Sequence, residues 1–241
     1  MPTYLLPLLG PAALFISAVL GFLDPGRRPR LIPKLAEAST LAANVVAVIS
    51  AILLVSRGPG SSQLIGLNGI GFSIRLDAVS AVMLLLVSFI GWVVVRYSAT
   101  YLDGESRQGA FTGWLCLTLA SVLLLVTAGN LFQLVLAWIA TSLFLHRLLL
   151  FYPDRTAAQR AARKKFVTAR LGDAALIGAA VLMTVGYGTT DIATILSAAR
   201  SGSGGSFAVG AATLLSIAAL LKSAQFPTHG WLTEVMETPT P

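Results

Sequence analysis

The stretch from Ala78 to Tyr97 reads AVSAVMLLLVSFIGWVVVRY and holds one charged residue, Arg96, close to its end. A helix of about 20 apolar residues crosses the hydrocarbon core of a bilayer. A soluble helix or strand would alternate apolar with charged residues at a regular period, and this run does not. The stretch therefore predicts a membrane-spanning helix.

Six more apolar runs of this kind lie on either side of it. They are Tyr4–Leu23, Leu41–Val55, Phe111–Thr127, Leu131–Phe151, Phe166–Val185 and Phe207–Leu221. The chain is 56% hydrophobic and 11% charged, whereas soluble domains carry about 25% charged residues. We therefore predict an all-α, multi-pass protein of the cell (inner) membrane with about seven transmembrane helices.

The segment between the second and third runs has a different character. Residues 57–77 are rich in glycine and end in the alternating stretch Phe72–Leu76, which indicates a short extended segment outside the bilayer. We accordingly divide the chain into two N-terminal transmembrane helices (1–56), this external segment and a transmembrane bundle (78–241). The bundle also contains a short amphipathic helix, predicted at Thr189–Arg200.

The net charge of +7 comes from basic residues in the connections between the apolar runs. Because membrane topology already explains them there, we expect no nucleic-acid binding. If the N-terminus lies outside, the inner connections and flanks hold thirteen of the 17 Lys and Arg residues, and the outer ones hold Arg57, Arg75 and Arg200. This asymmetry predicts an outside N-terminus and a cytoplasmic connection at Arg155–Lys165.

Three ionisable residues in or next to the predicted spans stand out, because a charge near the bilayer centre costs a few kcal/mol on insertion scales. Lys222, Asp173 and His146 all lie in the inner half of the bilayer at comparable depth, so together they could hold and pass a proton. Simpler interpretations also stand. Lys222 could snorkel to the surface, Asp173 could be a fixed partner of Arg170, and His146 could be interfacial beside Arg147.

The seventh apolar run meets Lys222 and then Pro227, which predicts an interrupted helix. Broken helices at membrane depth usually line a cavity or pack in protein. We therefore add His229, just after the break, to the predicted proton pathway, with Arg170 and Glu234 as supporting residues. Both His229 and Glu234 could instead lie at the water interface.

The sequence indicates no cofactor. Cys116 lies inside an apolar run and has no partner for a disulfide. One cysteine and two histidines are too few for a protein-only zinc site of the usual kind.

The segment KSAQFPTHGWLTEVMETPTP, Lys222 to Pro241, is similar to the signature of the antiporter-like subunits of respiratory complex I and of Mrp-type sodium–proton antiporters. KKFVTARLGDAAL, Lys164 to Leu176, resembles the sixth-span segment of that family. Arg75 to Leu102 resembles the third-span segment. The resemblance implies that Lys222 sits in a discontinuous helix as a proton carrier and that Asp173 lies on the same hydrophilic axis.

One departure from that family pattern concerns the fifth span. The family carries G-W-E-G there, and its glutamate partners the lysine, whereas this chain reads Ala137-Trp138-Ile139-Ala140. The variant F-P-T-H-G-W-L-T-E-V-M-E-T-P-T-P looks most like the membrane subunits of DAB inorganic-carbon accumulation systems. The resemblance then implies a soluble zinc-binding partner similar to β-carbonic anhydrase, driven by cation flow through the membrane subunit.

The predicted function is accordingly that of a proton- or Na⁺-conducting membrane subunit that energises uptake of inorganic carbon and is not itself catalytic. The alternatives are a subunit of NADH:quinone oxidoreductase or of an Mrp-type antiporter, and a purely structural membrane anchor. Because the chain stops at Pro241, inside the signature, the resemblance implies the N-terminal half of a longer subunit.

Overall fold

The computed structural model describes residues 2–67, 70–152, 154–202, 205–225 and 228–233. Within these ranges, seven helices are long and apolar enough to cross a membrane. They are α1 (Leu9–Leu23, preceded by a 3-10 helix at Pro2–Leu8), α2 (Ile32–Arg57), α3 (Ala78–Tyr101), α4 (Gln108–Val126), α5 (Leu131–Leu149), α6 (Thr156–Tyr187) and α8 (Gly205–Lys222). The short amphipathic helix α7 spans Ile192–Arg200. The predicted all-α multi-pass fold is confirmed.

Two helices begin well before the apolar runs that predicted them. Helix α2 begins at Ile32, with Pro33 in its first turn, where a missing N–H costs nothing. Helix α6 begins at Thr156, so the basic stretch predicted as a cytoplasmic loop is helical almost throughout. With 32 residues, α6 is about 48 Å long, more than the hydrocarbon core needs.

The glycine-rich segment forms two short antiparallel ribbons. Strand β1 (Gly60–Ser61) pairs with β4 (Arg75–Leu76), and β2 (Ile65–Leu67) pairs with β3 (Ile70–Phe72). Gly66 has φ +156°, and a Cβ there would lie 2.0 Å from the carbonyl oxygen of Ile70. Only glycine fits at such a close approach of two backbones.

The chain divides into two compact units, of which the first comprises Met1–Gln63 and Ser73–Ala128. Here α1 packs on α4 through small residues. A Cβ added to Gly21 of α1 would lie 2.9 Å from the carbonyl oxygen of Gly109 and 3.0 Å from the amide of Gly113 in α4. Gly109 and Gly113 form a G-x-x-x-G motif, which lets transmembrane backbones approach closely.

The helices hide small and hydroxyl side chains and expose large apolar ones. Val55 is 88% exposed and Val185 is 78% exposed, whereas hydroxyl residues such as Ser50 and Ser88 are buried. This is the reverse of a soluble protein, in which large aliphatic residues fill the core. The exposed apolar faces fit a lipid environment.

The second unit comprises Leu64–Phe72 and Gly129–Thr240 and is built on α5, α6 and α8. Asn130 caps α5, because its side-chain oxygen accepts a hydrogen bond from the Gln133 amide at 2.8 Å. Gly188, at φ +68°, ends α6 in the left-handed conformation. Helices α6 and α8 pack along each other, with Gly172 facing Leu221, which brings the end of α8 to the middle of α6.

Candidate functional site

Helix α8 ends at Lys222, and the residues directly after it are not part of the helix. A turn follows, in which Ala224 takes the left-handed conformation (φ +52°), and a short 3-10 helix runs from Thr228 to Trp231. The interruption predicted for the seventh membrane helix is therefore present. It leaves the side chain of Lys222 at the carbonyl end of α8, where the helix dipole favours a cation.

The ammonium group of Lys222 binds α5. Its Nζ donates hydrogen bonds to the backbone carbonyl of Trp138 at 2.9 Å and to the hydroxyl of Thr141 at 2.8 Å. The hydroxyl of Ser142 lies at 3.5 Å, and the Trp138 ring centroid lies 4.4 Å away, within cation–π range. All these partners are uncharged.

These partners lie within three residues, in the sequence of α5, of the position at which the chain departs from the family pattern. Ile139 directly follows Trp138 on α5 and is half-buried. A glutamate there would offer Lys222 a charged partner on the same turn. Instead, a backbone carbonyl and two hydroxyl groups carry the ammonium, so the lysine is coordinated without being neutralised.

Asp173 is buried on α6, with 4% of its surface exposed. Its nearest charged partner is Arg170, one turn earlier, whose guanidinium lies 2.5 Å from the carboxylate. The two groups are paired by charge and distance without hydrogen-bond geometry, and the remaining Asp173 oxygen has no hydrogen-bond donor among the described residues. The indole of Trp138 lies beside the carboxylate.

Lys222 and Asp173 are close enough to interact electrostatically, but no direct ion pair joins them in the part of the chain that the structure describes. Instead, Lys222 contacts α5 and Asp173 pairs with Arg170. The alternative of a fixed Arg170–Asp173 pair describes the carboxylate correctly. Trp138 is common to the two contacts, because the Lys222 ammonium and the Asp173 carboxylate both lie beside it.

His146 lies eight residues after Trp138, about 12 Å further along α5. Its ring packs against Phe166 of α6, with the centroids 5.0 Å apart, and hydrogen-bonds to the backbone of Ala162. The ring nitrogen Nδ1 is buried without a hydrogen-bond partner among the described residues. His146 is therefore in contact with α6, closer to the α5–α6 connection than Lys222 is.

The two remaining predicted residues lie after the break. His229 is exposed in the 3-10 helix Thr228–Trp231, which packs against α6. Glu234 lies outside the described residues. The structure thus brings together Lys222, Asp173 and Arg170, and it leaves His229 on the surface.

The site contains side chains that the sequence analysis passed over. Lys165, counted there as a loop residue, is only 6% exposed, and its Nζ donates to the Ser142 carbonyl at 2.5 Å. A signal was available, because Lys165 falls at helical spacing on a stripe of uncharged and mostly small residues. The stripe comprises Ala158, Ala161, Ala162, Gly172, Leu176 and Ala179. Thr141 and Ser142 are uncharged and carried no comparable signal.

Two family models match this chain. One, described as NADH:quinone oxidoreductase/Mrp antiporter, TM, covers residues 128–241. The other, described as NADH-ubiquinone oxidoreductase (complex I), chain 5 N-terminus, covers residues 65–112. Together with the fold, they identify the chain as an antiporter-like membrane subunit of the complex I and Mrp type.

Several curated relatives are inorganic-carbon transporter subunits. The chain is 43% identical over 170 residues to a probable inorganic carbon transporter subunit DabB of Hydrogenovibrio crunogenus, covering 70% of this chain and 33% of the relative. It is 39% identical over 247 residues to DabB2 of Halothiobacillus neapolitanus, covering 99% and 45%. A Na⁺/H⁺ antiporter subunit A1 of Staphylococcus aureus is 33% identical, covering 72% and 22%. The chain thus spans less than half the length of these relatives.

Solved structures agree on the fold. The Mrp complex from Dietzia sp. superimposes with a TM-score of 0.78 at 27% identity, covering 96% of this chain and 25% of that chain. An archaeal membrane-bound sulfane sulfur reductase superimposes with a TM-score of 0.76 at 17% identity, covering 97% and 47%. The second match speaks for the fold alone.

Proposed function

We propose that this chain is the N-terminal part of a proton-conducting membrane subunit that energises the uptake of inorganic carbon. The observation that carries the proposal is the ammonium of Lys222, held by oxygens of α5 inside a membrane-spanning unit and next to the buried Asp173. Ionisable groups at membrane depth are costly and mark ion pathways. A purely structural anchor would have no use for them.

The pathway begins at the end of α5 that carries His146. An imidazole changes its charge near neutral pH and can accept a proton from the aqueous side. From there the proton moves along the α5–α6 contact towards Lys222, while Asp173 and Arg170 set the local potential. With the N-terminus outside, this end of α5 faces the cytoplasm, which has the excess of basic connections.

The assignment to inorganic carbon rests on two supports. The relatives with the highest identities above are inorganic-carbon transporter subunits, and the Glu position of the family's fifth span is Ile139 here. In this proposal, a soluble zinc-binding partner similar to carbonic anhydrase docks on the membrane subunit. Proton flow through the membrane then drives one-way hydration of carbon dioxide in that partner.

The runner-up function is that of a subunit of an Mrp antiporter or a quinone oxidoreductase. The family models carry those descriptions, and a chloroplast NAD(P)H-quinone oxidoreductase subunit 5 is 34% identical over 175 residues. In that case the transported ion could be Na⁺. Among the residues that the structure describes, no carboxylate pairs directly with Lys222, which speaks against the usual coupling of those complexes.

The full-length protein should be expressed with its genomic neighbours in cells lacking carbonic anhydrase and tested for growth in air. We expect growth to be restored, a soluble zinc protein to co-purify with the membrane subunit, and Lys222→Ala to abolish growth while the protein still inserts. Lys34→Ala, a change in the other unit, serves as the control. Recovery of the protein inside a quinone-reducing complex would overturn the proposal.

A further inference from the structure

Lys165 is a second lysine buried in the membrane-spanning helices. It lies on α6 between exposed neighbours, Lys164 and Phe166, yet only 6% of its own surface is exposed. Its Nζ does not reach towards solvent but donates to the carbonyl oxygen of Ser142 on α5 at 2.5 Å. A lysine that could snorkel and does not is paying a desolvation cost that calls for a reason.

The second observation is that Lys165 and Lys222 bind the same turn of α5. Lys165 donates to the Ser142 carbonyl, and Lys222 lies 3.5 Å from the Ser142 hydroxyl while it donates to Thr141. The two ammonium groups come from different helices, α6 and α8. Ser142, itself buried, stands between them.

The third observation is the charge balance of this cluster. Lys165, Lys222 and Arg170 all lie within electrostatic range of Asp173. Three cations therefore share a single carboxylate. Like charges repel strongly in a medium of low polarity. Arginine keeps its proton at any ordinary pH, whereas a buried lysine amine can release it. The cluster is therefore relieved when one of the two lysines is neutral.

We propose that Lys165 is a second proton-binding amine, coupled to Lys222 through Ser142, and that the two lysines share one excess proton. When the proton moves, an N–H bond of the Lys165 ammonium breaks and the lone pair of the neutral Lys222 amine forms a new one. The Ser142 hydroxyl can relay the step by accepting one proton and giving up its own. This inference rests on the proton-conducting function proposed above and names the step before Lys222.

His146 is in a position to pass a proton to the two lysines. It lies one turn beyond Ser142 on α5, and its ring reaches α6 at Ala162 and Phe166. The charges that act on it include Lys165, Arg147 and Arg170. The resulting order is His146, Lys165 and Lys222, read from the α5–α6 connection inwards.

The test uses the full-length subunit with its soluble partner in proteoliposomes, with proton flux read from a trapped pH-sensitive dye. Lys165→Arg keeps a cation and an N–H donor at the Ser142 carbonyl but does not release its proton. We expect Lys165→Arg and Lys165→Gln to lower the flux by about a hundredfold, the lower range for a positioned proton-transfer group. Lys164→Gln, at the exposed neighbouring position, should stay within about twofold, the usual scale of a substitution on an exposed side chain.

Wild-type flux in Lys165→Arg would make Lys165 a structural cation and overturn the inference, while the proposed function would stand if Lys222→Ala is inactive. Failure of both Lys165 variants to insert would likewise make the residue structural. Absence of flux in the wild-type protein, or full flux in Lys222→Ala, would remove the proposed function as well.

Discussion

The ammonium of Lys222 lies 2.8 Å from the hydroxyl of Thr141, a residue 81 positions earlier in the chain. The contact ties the broken end of α8 to the middle of α5. It is the shortest of the hydrogen bonds that this lysine donates, and its acceptor carries no charge.

Replacing Thr141 by Val removes this acceptor and keeps the shape of the side chain. A hydrogen bond to a charged group contributes about 1.5–3 kcal/mol, so we expect proton flux at neutral pH to fall by about tenfold or more. The matched control is Thr184→Val, because the Thr184 hydroxyl only donates to the Ala180 carbonyl of its own helix. Equal losses in the two variants would show that the Lys222 contact has no special role.

The second prediction compares substitutions at His146 and at Ile139. We expect His146→Ala in the full-length protein to weaken bicarbonate accumulation in cells lacking carbonic anhydrase, because the first proton acceptor is lost. Ile139→Glu should bring no improvement, since a carboxylate beside Lys222 would hold the proton there. Accumulation can be followed with labelled bicarbonate. Full rescue by the His146 variant would identify this residue as interfacial.

The third prediction concerns topology. A reporter fused after Arg155 should behave as cytoplasmic, and one fused at Ser61 should behave as external, because the basic residues are concentrated on one side. Paired alkaline-phosphatase and fluorescent-protein fusions give opposite signals on the two sides. The reverse pattern would invert the whole assignment of sides.

The fourth prediction tests the close contact of α1 with α4. A methyl group at Gly21 would meet backbone atoms of Gly109 and Gly113, which have no rotamer to change. We therefore expect Gly21→Ala to destabilise the protein by about 1–3 kcal/mol, the usual cost of overpacking. Gly26→Ala is the control, because nothing lies within 4 Å of its added methyl group. Thermal unfolding in detergent compares the two, and equal midpoints would contradict the packing.

The fifth prediction concerns pH and the start of α3. Burial raises the pKa of Asp77, but hydrogen bonds from Ser80 and the charge of Arg75 lower it more, so the net pKa lies below its ordinary value. A carboxylate of this kind stabilises the fold fully above its unfolded pKa, and the contribution is lost as pH falls through the folded pKa. We expect the thermal midpoint of the wild type to drop in that acidic window.

Asp77→Asn supplies the matched comparison. An asparagine still accepts the hydrogen bond from the Ser80 amide but does not titrate, so its midpoint should lose this part of the acid dependence. Asp77→Ala should cost about 1 kcal/mol at neutral pH, the usual value of an N-cap. An unchanged acid profile in Asp77→Asn would assign the pH dependence to other groups.

The membrane helices were predictable from the sequence because their signal is local. A run such as Ala78–Tyr97 needs no partner to be recognised, and the break after Lys222 follows from a proline five residues later. The beginning of α6 was not predictable in the same way. A hydropathy argument ends a span at its first charges, whereas the helix continues through them to Thr156.

Because the predicted beginning of α6 was too late, the buried position of Lys165 was missed. Taken as part of a loop, it looks like Arg163 and Lys164; taken as helix, it falls on the buried stripe. The partners of Lys222 were hidden for another reason. Every residue has a backbone carbonyl, so nothing in the letters marks that of Trp138 as the one that would accept the ammonium.

The hydrogen-bond partners of Lys222 are uncharged, and this affects how its proton responds to an electric field. When a lysine is paired with a carboxylate, gaining a proton turns a lone anion into a neutral couple. Here the proton adds a positive charge to a group whose direct hydrogen-bond partners are carbonyl and hydroxyl dipoles. A unit charge that crosses the whole bilayer gains or loses about 2.3 kcal/mol per 100 mV. In the proposed pathway we therefore expect the proton occupancy of Lys222 to respond to the membrane voltage as well as to the pH on either side.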